Sequence, residues 1–168
     1  MKSQVGGFVL FISLFYLIGF GLLGYGLWSA RRSTQAAAWP TTPATITSLE
    51  VRENSHSDDT TYEVKVRYTY TVEGVAFEGS RLAFGYGGSS DREAHDEIRR
   101  RLKEAKAVAV RYDPANPAVS CLSYGLHRTI LFVLVFSVTW LLFVIGFTLL
   151  FSLSFRSDAV LLDNLSVQ

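Results

Sequence analysis

Two stretches without a single charge bound what this chain can become: Ser3 to Ala30 and Thr129 to Phe155. A hydrocarbon core about 30 Å thick is crossed by roughly 20 apolar residues of helix. Both stretches exceed that length, and Leu, Phe, Val, Ile and Gly dominate them. A charge at the centre of such a helix costs about 3 kcal/mol, and here there is none to accommodate. The sequence therefore predicts two transmembrane helices, over 5–30 and 130–155, with short tails at 1–4 and 156–168. The competing reading of the first is a cleaved leader, because Ala36-Ala37-Ala38-Trp39 offers small residues for a cut. Signal h-regions run about 7–15 residues; this one is far longer, and Arg31 and Arg32 would sit between it and the cut.

Between the apolar ends, residues 31–128 hold 14 of the 16 Lys and Arg and 13 of the 15 Asp and Glu. The near-neutral total is thus an average over unlike segments, and it carries no footprint of nucleic-acid binding. One cysteine, Cys121, excludes an internal disulfide and every multi-cysteine metal motif.

Residues 31–43 read as a linker with turn chemistry at Pro40 and Pro43, and 44–123 as a β-rich domain. Tyr62, Val64, Val66, Tyr68, Tyr70 and Val72 alternate with polar partners, as a strand with one buried and one wet face does. Glu73-Gly74 supplies a hairpin turn. Ser90 followed by Glu93 fits a capping box, and Ala94, Ile98, Leu102 and Ala105 make one apolar stripe, so a helix is expected over 90–105. Val108, Val110 and Tyr112 resume period two, Pro114 and Pro117 force a tight turn, and a short strand leads through 124–129 to the second apolar run. The expected fold class is two transmembrane helices flanking a small antiparallel β-rich domain, sandwich or barrel-like, with one amphipathic helix.

The order of these signals resembles the membrane-anchored domain-of-unknown-function family 3592. Trp39, Pro40, Tyr68, Tyr70, Gly74, Val110, Tyr112, Asp113, Pro114, Asn116, Pro117 and Leu122 carry the resemblance. Its most specific element is "VAVRYDPANPAVSCL", Val108 to Leu122. The family pattern usually has a glycine just before that strand, where this chain has Lys103-Glu104-Ala105-Lys106. The resemblance implies a small β-rich domain held between two membrane helices, found in many bacteria and some eukaryotes. It implies no established activity and brings no catalytic residues.

The candidates for chemistry are few. Cys121 lacks a recognisable base-and-oxyanion constellation, and a lone cysteine on a short strand is more often a small buried hydrophobe. His56, Asp58 and Asp59 carry ordinary cation ligands, yet their spacing matches no metal motif and suits a polar hairpin tip equally well. They are the basis of a second reading, a ligand- or metal-responsive membrane sensor, to which His95 could contribute. Arg99, Arg100 and Arg101 could meet anionic headgroups or simply form a solvated helix face with Glu97 and Glu104. Tyr86 sits in a Gly-rich loop, expected to be aromatic-tipped and exposed, that lacks the Walker lysine and the Rossmann spacing. Gly19, Gly21, Gly24 and Gly26 make half of the first apolar run small-sided, which suits packing on the second or homo-oligomerisation.

These signals favour a non-enzymatic integral membrane protein, with no cofactor and no nucleic-acid partner, whose β-domain binds a protein in an envelope-accessory or immunity-type role. Arg31, Arg32 and Arg128 against Lys2 and Arg156 favour a cytoplasmic domain by charge. Loops beyond about 60 residues escape that rule, and the short N-terminal tail favours a domain outside the cytoplasm, on a bacterial inner membrane.

Overall fold

A computed structural model describes residues 2–56, 59–105, 107–154 and 164. The chain begins with helix α1 (Lys2–Gln35) and a 3-10 turn (Ala36–Ala38). Strands β1 (Thr41–His56), β2 (Asp59–Val72) and β3 (Val75–Gly79) follow, then helix α2 (Arg92–Glu104), strands β4 (Val108–Asp113) and β5 (Asn116–Cys121), and helix α3 (Arg128–Ser154). It divides into two units, residues 1–24 with 134–168, and residues 25–133.

Both α1 and α3 are long and apolar enough to cross a membrane. The expected linker at 31–43 is corrected: α1 continues through Arg31 and Arg32 to Gln35. No Gly or Pro interrupts that segment before Pro40, and the Thr34 hydroxyl donates back to the Ala30 carbonyl at 2.9 Å, so nothing breaks the helix. In the unit built from residues 1–24 and 134–168, Gly19 permits a close approach of the two helices. A Cβ there would stand 2.5 Å from Leu141 Cδ2 and 2.9 Å from Trp140 Cδ1. Its absence lets the Trp140 indole donate to the Phe15 carbonyl at 3.0 Å. Tyr16 and Thr148 hydroxyls meet at 3.2 Å. Gly21 and Gly24 face open space, so only part of the small-sided stretch is used within the chain.

The second unit is one antiparallel sheet in the order β3-β2-β1-β4-β5. The alternation read from the sequence places Val64, Val66, Tyr68 and Tyr70 in the core. Glu73 (φ 50°) and Gly74 (φ 80°) are both left-handed, as a two-residue hairpin turn with the right twist requires. Helix α2 lays Ile98 and Leu102 on the same core. Its start corrects the expectation: Asp91, not Ser90, is the N-cap, its carboxylate accepting from Ala94 N at 3.1 Å, and the helix spans 92–104. Both residues are good caps; Asp91 wins because the preceding loop is tied to β2 through Ser89 and Tyr62.

The sheet is not closed into a barrel, and among the described residues no second sheet makes a sandwich. It curls so that β3 and β5 come near each other, but both are short and no ladder joins them. Two tyrosine side chains span the gap. Tyr68 bonds the Arg81 carbonyl at 3.0 Å and Ser120 Oγ at 3.1 Å, and Tyr70 donates to the Pro117 carbonyl. Beyond the strands, Leu122 N and Ser123 N donate to the Leu82 carbonyl at 3.1 and 2.7 Å. Side chains and loop backbone thus do the joining that a barrel ladder would do.

Candidate functional site

Most of the polar organisation lies in two places. The first is built around His95, which α2 presents towards β2 and which is 4% exposed. Its Nδ1 lies 2.7 Å from the Tyr86 hydroxyl and its Nε2 2.9 Å from Ser89 Oγ. The Tyr86 oxygen accepts from Val64 N at 3.0 Å, and Ser89 exchanges two backbone bonds with Tyr62, at 2.8 and 3.0 Å. One imidazole therefore joins α2, the 85–90 loop and β2.

Proton accounting decides what this cluster can do. Tyr86 has one proton, and with Val64 N donating to its oxygen the free acceptor in reach of that proton is Nδ1. Nε2 then carries the imidazole proton and donates to Ser89. In that tautomer the ring offers Ser89 no lone pair, so it cannot draw the hydroxyl proton as an activating base must. The opposite tautomer would strand the Tyr86 proton in a part-buried site. Burial holds the His95 pKa below its ordinary value, with Asp91, Glu63 and Asp96 opposing only in part. Burial likewise raises the Tyr86 phenol. The arrangement is a neutral clasp.

The second place is the β4–β5 hairpin against the end of α1. Asp113 Oδ1 accepts from Ala115 N at 3.0 Å, closing the Pro114 turn, while Oδ2 takes Arg32 at 3.2 Å. Arg111 donates to the Ala37 and Trp39 carbonyls, both at 2.9 Å, and lies 4.4 Å over the Tyr124 ring. Tyr112 N donates to the Pro40 carbonyl at 3.2 Å. Ser33 Oγ donates to the Gly125 carbonyl at 2.8 Å and its own carbonyl accepts Gly125 N at 3.2 Å. Trp28 and Trp39 each meet the Phe84 ring edge-on, at 6.1 and 5.7 Å. A hairpin turn, two arginines and an aromatic cluster clamp the domain to the helix that enters it.

The family model for the domain of unknown function DUF3592 matches residues 42–127, just over half of the chain. The chain belongs to this family. No curated protein and no solved structure matches it. The matched DUF3592 region takes in nearly all of β1, the rest of the sheet, α2 and the clamp hairpin. Within the DUF3592 domain, the motif Tyr112, Asp113, Pro114, Asn116, Pro117 is thereby the hairpin that grips the last turn of α1. Trp39 and Pro40, just outside the match, supply its other jaw.

Tyr86 does not tip an exposed loop; its hydroxyl is held by Val64 and His95, a correction that follows from the loop being tied to β2. Arg99, Arg100 and Arg101 are each matched by a carboxylate of their own helix: Arg99 by Asp96 at 3.5 Å, Arg100 by Glu97 and Glu104 at 2.6 and 3.2 Å, and Arg101 by Glu97 at 2.7 Å. The run is a solvated, self-neutralised face. Asp58 and the side chains of His56 and Asp59 lie outside the described residues. Sequence reading missed the parts of Arg32, Ser33 and Ser89, whose partners are 81, 92 and 6 positions away. Only the pairing of Ser89 with His95 lay within reach of local pattern.

Cys121 is fully buried, packed with Ala36 and Phe84, and burial pushes its thiol up to about 11 despite Arg81 and Arg111 nearby. A thiol so protected reacts slowly, since the thiolate is the nucleophile. Maleimide at pH 7.5 is expected to leave the folded protein unlabelled and to label it fully after denaturation. Fast labelling of folded protein would contradict this environment.

Proposed function

We propose that the chain is an integral membrane protein whose two apolar helices hold the DUF3592 domain at a bilayer surface, and that this domain works by binding a partner protein. One observation carries the membrane half. The most apolar windows of the two helices are only 11% and 22% buried, whereas the core helix of a soluble protein is mostly covered. Leu10 is 77% exposed, and Leu17, Phe132, Val135, Phe143 and Leu150 are 67–70% exposed. Each such side chain left in water forgoes roughly 1.5–3 kcal/mol, and lipid tails supply the missing contact. The protein should remain in the pellet after extraction of bacterial inner membranes at pH 11; release into the supernatant would sink this reading.

The binding half is supported by the way the polar groups are spent. His95, Tyr86, Ser89, Arg111 and Asp113 satisfy one another, Arg32 or backbone, and together they tie the sheet to α2 and to the last turn of α1. Rigid scaffolds of this kind serve recognition through their surfaces. Photo-crosslinkers at exposed sheet positions such as Thr71 and Glu78 should give discrete adducts in native membranes. Those adducts should vanish when the domain is unfolded by mutation. Adducts that are absent, or that persist in the unfolded domain, would remove the binding reading while leaving the membrane reading standing.

A further inference from the structure

Strand β1 is much longer than its second ladder. It pairs with β2 along Ala44–His56, but with β4 only along Thr41–Ala44. From Thr45 to His56 the edge on that side is unpaired among the described residues. A cleft of about 440 Å³ opens beside it, between Leu49 on the strand and Leu102 at the end of α2. An uncovered edge presents a row of free N–H and C=O groups, a template for another strand.

The charges along this edge select the occupant. Glu50 and Arg52 point to the outer face and stand opposite Lys65 and Glu63 on β2. Those two pair with each other at 2.8 Å, and among the described residues Glu50 and Arg52 have no ion-pair partner. Two copies of β1 laid antiparallel about Val51 put Glu50 of each opposite Arg52 of the other, with Val51 facing Val51. Signs then alternate across four strands: Lys65, Glu50, Arg52, Glu63. Sliding the register by two residues either way sets Glu50 or Arg52 against itself, and like charges directly opposite are destabilising.

We propose that two copies of this chain pair edge to edge through β1, centred on Val51, into one continuous ten-stranded sheet. This stands apart from the binding reading above, which a monomeric chain would leave intact.

The test uses the full chain in membranes. Directly opposed residues of an antiparallel pair have Cα atoms about 4.5–5.5 Å apart, inside the range a disulfide spans. Val51→Cys should therefore give a covalent dimer under mild oxidation. Thr47→Cys faces position 55 of the other copy and lies roughly 26 Å from its own equivalent, so it should give none. Arg52→Glu, which makes the edge all acidic, and Glu50→Arg, which makes it all basic, should each cut the Val51→Cys dimer on the order of tenfold. Co-expressed with different tags, those two variants should form the mixed dimer and restore the yield. Monomeric mass for the unmodified chain in mild detergent, with no dimer from Val51→Cys, overturns the proposal. So does equal crosslinking at positions 47 and 51, or a yield indifferent to the charge variants.

Discussion

Gly79→Ala is expected to lower the melting temperature of the β-domain more than any other single-methyl change in this chain. A Cβ at that position would stand 2.5 Å from Tyr68 Cζ and 2.7 Å from Ser120 Oγ. Neither can step aside freely. Tyr68 is wholly buried, and its hydroxyl bonds both Ser120 and the Arg81 carbonyl. Burial also raises the phenol to about 12, so it stays protonated and cannot trade its donor away. Overpacking a core commonly costs about 1–3 kcal/mol, and here the clash also breaks the link that joins the two edges of the curled sheet. A loss of about 3 kcal/mol corresponds to a fall on the order of 15 °C for a domain of this size. Tyr68→Phe alone should cost about 1–2 kcal/mol, the worth of its lost hydrogen bonds. Because both changes break the same contacts, the double variant should fall well short of the sum. A Gly79→Ala protein melting within a few degrees of the parent would show that the tyrosine link is dispensable.

The second large effect concerns acid. His95 is buried and its folded pKa lies below the ordinary value, whereas in the unfolded chain it titrates near 6.5. The unfolded state therefore takes up the proton first. The stability that the neutral imidazole contributes is complete above about pH 6.5 and is lost as the pH falls from there through the lower folded value. Protonation also turns Nδ1 into a donor, which Tyr86 can no longer meet with its own proton. Of the neighbouring charges, Asp91 capping α2, Asp96 on it and Glu63 on β2 temper the shift without reversing it. Thermal melts should show a steep loss between pH 7 and pH 5. His95→Gln, with one acceptor and one donor to offer Tyr86 and Ser89, should flatten that stretch. His95→Leu should cost about 2–4 kcal/mol at pH 7.5, because it strands two part-buried hydroxyls. Parent and His95→Gln curves that run parallel from pH 7 to 5 would show that another group governs the acid loss.

Local pattern carried the strands well. The Tyr62–Val72 alternation names the buried face residue by residue, and Glu73-Gly74 names its turn, because period and turn chemistry are properties of neighbours in sequence. It carried boundaries less well. Ser90 and Asp91 are both competent caps, and the choice depended on Ser89 pairing with Tyr62, a contact local sequence does not encode. The exposed-loop reading of Tyr86 failed for the same reason. Glycines around an aromatic suggest a free tip, but the hydroxyl found Val64 N and His95, which lie 22 residues before and 9 after it.

Composition and spacing alone carry the segregation of this chain: two charge-free runs, a charge-rich middle, an alternating strand, an amphipathic helix and the family hairpin. Each follows from composition or spacing over a few residues. Whether the strands make a sandwich, a barrel or a curled open sheet was decided only in the tertiary structure. Closure depends on where short strands end and what meets across the gap, and here Tyr68 and Tyr70 meet β5 about 50 positions later in the chain. The tertiary structure likewise turned Asp113-Pro114 from a turn into a clamp, because only in the fold does Arg32, on the helix entering the domain, come to stand beside it.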